Sequence, residues 1–218
     1  MDVKRRSLPR IIRMLNSVYH VNIVKEKPFV MLIHGILSTR TKDETTFSAQ
    51  YRLLKLAGNP KKMARLGERT IRNAIYPVGF YRIKARLIKR ACSTLLSDFN
   101  GRVPSSKGEL LKIPGVGPKV ASLVLAYGFG IPSVAVDTHV NRISQRLGIV
   151  PVGNKPERTQ DVIESLLSTK ERILANHLLV TFGRDTCRPV SPKCYQCPIY
   201  RDCEYPRKKY YKDRGRSK

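Results

Sequence analysis

Apolar positions along this chain recur mostly at intervals of three and four residues, which is the spacing of amphipathic helices. The first such segment runs from Pro9 to Tyr19, and Ser7 is its candidate N-cap. The segment from Lys27 to Ser38 is apolar almost all round, which is typical of a buried central helix. Alternating strand patterns are scarce, and the segment IPSVAV is too short and isolated to build a sheet. The pattern therefore predicts an all-α fold.

Glycine, proline and capping residues divide the rest of the chain into further helices. Pro77 and Gly79 separate two of them, and Asp137 occupies the N-cap position of the helix in DTHVNRISQRLGI. The other predicted helical segments lie within residues 39–58, 67–79, 80–101, 105–130, 154–168 and 170–183. The amphipathic stripe predicted for the first helix consists of Ile11, Ile12, Leu15, Val18 and Tyr19.

The charge balance indicates a polyanionic partner. The 218 residues include 42 Lys and Arg against 16 Asp and Glu, which gives a net charge of +26 and a pI near 10.3. Because such a charge opposes compaction by self-repulsion, nucleic acid is the leading partner, and its binding should depend strongly on salt. An anionic membrane surface is the alternative, but we find no lipidation motif or apolar membrane-binding face in the sequence.

No apolar run reaches membrane-spanning length, and the basic N-terminus lacks the continuous apolar core of a secretory signal. A mitochondrial presequence is the alternative to an amphipathic helix there. We expect a protein that is not secreted and that lies in the cytoplasm or nucleoid, or in the nucleus or mitochondria of a eukaryote. In such a reducing compartment, the five cysteines are more often metal ligands or buried thiols than disulfides.

Four of these cysteines stand close together, spaced C-x6-C-x2-C-x5-C, as Cys187, Cys194, Cys197 and Cys203. Four unevenly spaced cysteines within one short segment favour an iron–sulfur cubane with four thiolate ligands. Zinc remains the alternative, although zinc sites more often use two close pairs of ligands separated by a longer stretch of sequence. Cys92 lies on a predicted helix and is interpreted as a small buried hydrophobe.

The segment IPGVGPKV places two glycines and a proline at the start of a predicted helix. Glycine permits a tight turn, Pro118 suits the first helical position, and backbone N–H groups there bind phosphate. Lys119 has two interpretations, a contact to phosphate or a nucleophile that forms a Schiff base, because a helix N-terminus disfavours a second cation. Asp137 is a helix cap that also offers a carboxylate for proton transfer or for stabilising a cationic sugar.

Taken together, LKIPGVGPKVASLVL, AVDTHVNRISQRLG and the cysteine spacing resemble the endonuclease III branch of the helix-hairpin-helix DNA glycosylases, from about Pro28 to Cys203. The resemblance implies a two-lobed fold with DNA in the cleft between the lobes. One lobe is a six-helix domain over residues 24–134, with the helix-hairpin-helix turn at 113–118. The other combines residues 1–23 with 135–205 and holds a [4Fe–4S] cluster on the four cysteines. Residues 206–218 are expected to form a basic tail.

By the same resemblance, Lys119 matches the Schiff-base nucleophile of the bifunctional members and Asp137 matches the essential aspartate. The implied enzyme is a monomer that binds double-stranded DNA with a damaged base or an abasic site. It flips an oxidised pyrimidine such as thymine glycol out of the helix, attacks the sugar C1′ and nicks the strand by β-elimination. Base excision repair is the implied role.

The resemblance also implies DNA-contacting residues. Arg40 stands where the family often has a glutamine that fills the gap left by the flipped base, and Phe80 stands where it has an aliphatic wedge. Asp43 matches an acidic residue near the family's pocket. The remaining expected DNA contacts are Gly115, Val116, Gly117, His139, Arg188 and Lys193.

Two alternatives of different function remain. The first is a monofunctional mismatch glycosylase on the same scaffold, which the presence of Lys119 argues against. The second is a non-catalytic DNA-binding module with an iron–sulfur sensor, which would not require both Lys119 and Asp137.

Overall fold

The computed structural model describes residues 7–206 together with 208, 210 and 213. Within these residues the regular structure is helical and no strand is present, so the all-α prediction is confirmed. The chain divides into two compact units. Unit 1 combines the described residues up to Ile23 with those from Pro132 onward, and unit 2 is Val24–Ile131. The predicted basic tail lies mostly outside the described residues.

The helix bounds follow the sequence pattern closely except at Pro60–Arg65, a short helix that the pattern did not predict. The structure also has a short π-helical segment at Val124–Phe129 and 3-10 turns at Cys194–Gln196 and Tyr200–Asp202. In chain order the α-helices are α1 (Leu8–Tyr19), α2 (Pro28–Ser38), α3 (Asp43–Leu56), α4 (Pro60–Arg65), α5 (Glu68–Ile75), α6 (Tyr81–Asp98), α7 (Lys107–Leu110), α8 (Pro118–Leu123), α9 (Thr138–Arg146), α10 (Pro156–Leu166) and α11 (Thr169–Asp185).

Unit 2 is built around α2, as its apolar sequence predicts. Helix α2 packs against α3, α6, α8 and the π-helical segment, so neighbours surround it on several sides. Its buried residues are Phe29, Met31, Leu32, Ile33, Gly35, Ile36 and Leu37. Cys92 on α6 is completely buried, which confirms its interpretation as a core residue. The core thus fixes both ends of α2, and the loop that follows this helix carries Arg40.

Unit 1 packs α1 against α11 and α9 against both α10 and α11. The apolar stripe of α1 is buried at Leu8, Ile11, Ile12 and Leu15. Val18, which the periodicity places on the same stripe, is 51% exposed, so the stripe prediction is wrong at that residue. The physical reason is that α1 ends one residue later, where His20 turns into the left-handed region at φ 45°. Ser7 occupies the N-cap position but its side chain makes no capping hydrogen bond.

Candidate active site and metal centre

The glycine turn joins α7 to α8 and sets the position of Lys119. Gly115 has φ +85°, and a Cβ at this position would lie 3.2 Å from the Cβ of Leu87, so both backbone and packing require glycine. Gly117 is the N-cap of α8 and Pro118 its first residue. Lys119 is therefore the second residue of the helix, and it is half-buried.

The three residues of the turn differ in what they offer a ligand. Val116 is 7% exposed, and its N–H donates to the Ile113 carbonyl at 3.0 Å, so this residue packs and closes the turn. Gly115 is exposed, and a Cβ added at Gly117 would meet no atom within 4 Å. The turn thus offers glycine backbone, rather than the Val116 side chain, to a bound group.

Two other basic side chains lie near Lys119 within unit 2. Burial and the charge of Lys119 lower the pKa of Lys84 to about 8. Burial, with a smaller contribution from Lys119, also lowers the pKa of His34, whose Nδ1 lies 2.8 Å from the Gln50 amide oxygen. Among the described residues of unit 2, the Lys119 amine has no hydrogen bond or ion pair, whereas the Lys84 amine has three hydrogen bonds.

Lys84 was not predicted from the sequence as a functional residue. Helix α6 buries Ala85, Ile88, Ala91, Cys92 and Leu95 along one side, and Lys84 lies on that side. A lysine in an apolar stripe is the signal that could have indicated it, since lysine is almost never fully buried unless it has partners.

Arg40 and Phe80 are brought together by the structure. Their guanidinium carbon and ring centroid are 5.6 Å apart, within the range of a cation–π contact. Both residues have positive φ, 51° and 58°. Phe80 is 56% exposed, so it is not a core aromatic residue. An exposed aromatic ring and a guanidinium group at neighbouring turns are suited to stacking on nucleobases.

Asp137 is the N-cap of α9, as predicted. Its Oδ1 accepts hydrogen bonds from the backbone N–H groups of His139 and Val140, both at 2.9 Å. His139 packs within unit 1, where its Nδ1 lies 3.2 Å from an Arg142 guanidinium nitrogen. A Cβ at Gly183 would lie 2.8 Å from the same Nδ1. The capping bonds therefore fix the Asp137 carboxylate through one of its two oxygens.

All four clustered cysteines line one pocket whose other walls are largely apolar, including Ile143, Leu147 and Ile199. None of them forms a disulfide. Burial, with smaller contributions from the neighbouring thiols, raises the pKa of Cys194 to about 11 and that of Cys197 to about 12. Within residues 7–206 and the three described residues beyond, no group of three or more His, Cys, Asp or Glu residues is arranged to hold a metal ion.

The donor chemistry of this pocket nevertheless fits an iron–sulfur cluster, because its ligating atoms are four thiols and no carboxylate or imidazole. Ionised thiols so near one another repel, and bound iron offsets that repulsion. The same donor set also suits zinc.

Arg146, which was not predicted from the sequence, connects the cysteine segment to α9. Its guanidinium group donates to Cys187 Sγ at 3.3 Å, to the Arg188 carbonyl at 2.7 Å and to the Pro189 carbonyl at 3.1 Å. It also lies 4.2 Å from the ring centroid of Tyr205. One side chain thus links the start and the end of the segment that carries the thiols.

Two of the expected DNA contacts in this segment already have partners inside the chain. The Nε of Arg188 donates to the carbonyls of Arg184 and Asp185, at 3.2 and 3.1 Å, and the side chain is exposed. Lys193 forms a 3.2 Å ion pair with Asp185. Their assignment to DNA contact stays a prediction.

None of the described helices has the length and apolarity needed to span a bilayer.

Comparison with known proteins places these features in a family context. Residues 33–169 match the model of the HhH-GPD superfamily base excision DNA repair proteins. The chain is 41% identical to an endonuclease III of Thermotoga maritima over 182 residues, which cover 84% of this chain and 85% of that protein. It is 38% identical to a chloroplastic endonuclease III homolog of Arabidopsis thaliana, over 82% of this chain and 49% of the plant protein.

The fold is similar to that of a solved trapped endonuclease III–DNA covalent intermediate, with a TM-score of 0.88 and 30% sequence identity. The superposition covers 96% of this chain and 100% of that one.

Proposed function

This chain belongs to the endonuclease III family of base excision DNA repair proteins, and on that premise we propose that it removes oxidised pyrimidines such as thymine glycol through a Schiff base on Lys119. The protein is a DNA glycosylase with abasic-site lyase activity, and DNA is its partner. The observation that carries the residue assignment is the position of Lys119, directly after the glycine turn and without a hydrogen-bonding partner in unit 2.

In the proposed reaction, the damaged nucleotide leaves the base stack and its sugar meets the Lys119 amine. The nitrogen lone pair attacks C1′, the N-glycosidic bond breaks, and the base departs with the bonding electrons and takes up a proton. Opening of the sugar ring gives an imine between Lys119 and C1′. Loss of a C2′ proton then expels the 3′-phosphate, which nicks the strand, and water releases the lysine.

We assign two roles to the Asp137 carboxylate in this sequence of steps. It takes the proton that the attacking amine loses, and it stabilises positive charge on the sugar. The cap geometry supports this assignment, because backbone N–H groups hold the carboxylate in one orientation at a helix N-terminus.

For DNA binding, we propose that Gly115 and Gly117 present backbone to a phosphate and that Arg40 and Phe80 enter the duplex where the nucleotide has left. We assign His139, Arg188 and Lys193 to contacts with the DNA backbone, and we expect one protein molecule to act alone on each site. The exposure of Arg40, Phe80 and Gly115 supports their part of this arrangement.

The four cysteines would hold the [4Fe–4S] cluster. The cluster would cross-link the segment from Cys187 to Cys203. No step of the base chemistry passes through it. Arg146 on α9 donates hydrogen bonds to that segment, and we therefore expect it to stabilise the segment's folded conformation.

Cys194→Ser is expected to weaken DNA binding and folding together, because three ligands do not complete the cluster. Iron and sulfide content, the visible absorption of the cluster, thermal unfolding and affinity for a lesion-containing duplex measure this. Cys92→Ala is the matched control, a cysteine variant outside the pocket that should keep its iron and its affinity. Full stability and affinity in Cys194→Ser would contradict the structural role, and a colourless protein that contains zinc would contradict the cluster.

Salt should weaken binding steeply, because the net charge of +26 predicts many phosphate contacts. If about six phosphates are neutralised, affinity falls about a thousandfold between about 50 and 200 mM salt. Undamaged and lesion-containing duplexes should show similar slopes, since phosphate contacts do not read the base. A flat salt dependence measured by fluorescence anisotropy would argue against backbone-dominated binding.

A further inference from the structure

The ammonium group of Lys84 is buried and fully hydrogen-bonded. The residue is 5% exposed, and its Nζ donates to the Leu37 carbonyl at 2.7 Å, the Thr39 carbonyl at 2.6 Å and the Thr41 hydroxyl at 3.1 Å. A buried cation is costly unless its hydrogen bonds are satisfied, and three acceptors match the three N–H bonds of an ammonium group. This geometry is therefore a built site for a protonated lysine.

Two of the acceptors lie at the C-terminal end of α2, which ends at Ser38. The last carbonyls of a helix have no partner within it and carry partial negative charge, so a cation there is favourable. The third acceptor, Thr41, belongs to the turn that leads to α3. Lys84 thus caps α2 and holds the turn that contains Arg40.

The same hydroxyl connects this turn to the segment before α6. Thr41 Oγ1 accepts a hydrogen bond from the Gly79 N–H at 3.2 Å. A Cβ at Gly79 would lie 2.6 Å from the Arg40 carbonyl oxygen, so glycine permits the close approach of the two backbones. Arg40 and Phe80 therefore extend from adjoining turns, each with positive φ. Such backbone conformations in non-glycine residues persist where the surrounding structure holds them.

We propose that Lys84 is the positioning residue for Arg40 and Phe80. It holds their two turns together so that both side chains enter the DNA in a fixed arrangement. The proposal rests on the proposed function, which gives Arg40 and Phe80 their place in the duplex. It adds the residue that sets their geometry. Lys84 itself contacts neither the substrate nor the reacting atoms.

Lys84→Met tests this, because methionine keeps the length of the side chain and removes the ammonium group. Lys89→Met is the matched control: Lys89 also lies on α6 and also donates to a backbone carbonyl, that of Leu66 at 2.9 Å. Two reactions separate positioning from chemistry. One is single-turnover excision of thymine glycol from a duplex, which requires flipping, and the other is cleavage of an abasic site in single-stranded DNA, which leaves no helix to open.

We expect Lys84→Met to slow duplex excision about a hundredfold while single-stranded cleavage stays within about twofold of the parent. Lys89→Met should match the parent in both. Unchanged duplex excision in Lys84→Met would overturn the proposal, and so would equal losses on both substrates, which would indicate a general structural role.

Thr41→Val keeps the proposal testable if Lys84→Met does not fold. It removes the hydroxyl that joins the two turns and preserves the shape of the side chain. Duplex excision should fall about tenfold and single-stranded cleavage should not change; a parental excision rate would overturn the proposal.

The fluorescence of 2-aminopurine placed opposite an abasic analogue reports insertion into the duplex without any bond cleavage. Lys84→Met should lower this signal and Lys89→Met should not. If the parent itself fails to excise thymine glycol from the duplex, the proposed function fails, whereas the fluorescence comparison still decides the role of Lys84: equal signals in the parent and Lys84→Met overturn it.

Discussion

Replacing Lys119 by glutamine is expected to abolish strand cleavage at abasic sites and to slow excision of thymine glycol by at least about a thousandfold. The amide nitrogen of glutamine has no lone pair available for attack on C1′, so no imine forms. Single-turnover kinetics on a thymine glycol duplex, with separate assays for base release and strand nicking, measure both effects.

The fold of Lys119→Gln should survive, because Lys119 is half-buried and makes no hydrogen bond within the described part of unit 2. Lys112→Gln is the matched control, an exposed lysine just before the same turn, and it should retain parental rates. Nicking by Lys119→Gln at a tenth of the parental rate or faster would assign the nucleophile elsewhere.

Asp137→Asn is expected to separate the two functions of this residue. The carboxamide oxygen can still accept the N–H groups of His139 and Val140, and asparagine is as good an N-cap as aspartate, so stability should change little. The carboxamide can neither take a proton nor balance positive charge on the sugar, so excision should slow by about 10² to 10⁴. Thermal unfolding and single-turnover excision, measured on the same preparation, make the comparison.

Asp137→Ala should lose the cap as well, at a cost of about 1 kcal/mol. Asn59→Ala supplies the matched control, because the Asn59 side chain caps α4 by accepting from the Lys62 N–H at 2.8 Å. It should show a similar loss of stability with parental activity. If Asp137→Asn excises at the parental rate, Asp137 is only a helix cap.

Local patterns predicted most of the helices because burial in this fold follows helical periodicity. The apolar character of α2 and the capping position of Asp137 were sufficient to place both correctly. The π-helical segment at Val124–Phe129 was not predicted, because it packs against residues that lie far away in the sequence. A Cβ at Gly128 would lie 3.0 Å from the Cα of Pro28, and the Tyr127 carbonyl accepts a hydrogen bond from the Glu26 N–H.

Lys84 and Arg146, the two basic residues with supporting roles, were also missed because their partners lie far away in the sequence. Lys84 bonds to a carbonyl 47 positions away, and Arg146 bonds to a thiol 41 positions away. Among 42 basic residues, nothing local distinguishes either from a solvated charge except the apolar stripe around Lys84. Arg40 and Phe80 were each assigned to DNA contact by family resemblance alone, and their 5.6 Å contact emerges only when the turns before α3 and α6 meet.

Borohydride trapping with peptide mapping tests the central claim most directly. The protein is incubated with a duplex that carries one thymine glycol, borohydride reduces any imine, and the cross-linked peptide is identified by mass spectrometry. We predict one protein–DNA adduct, located on Lys119 and missing from Lys119→Gln. An adduct on another amine, such as that of Lys84, or base release without any adduct, would contradict the assignment of Lys119 as the nucleophile.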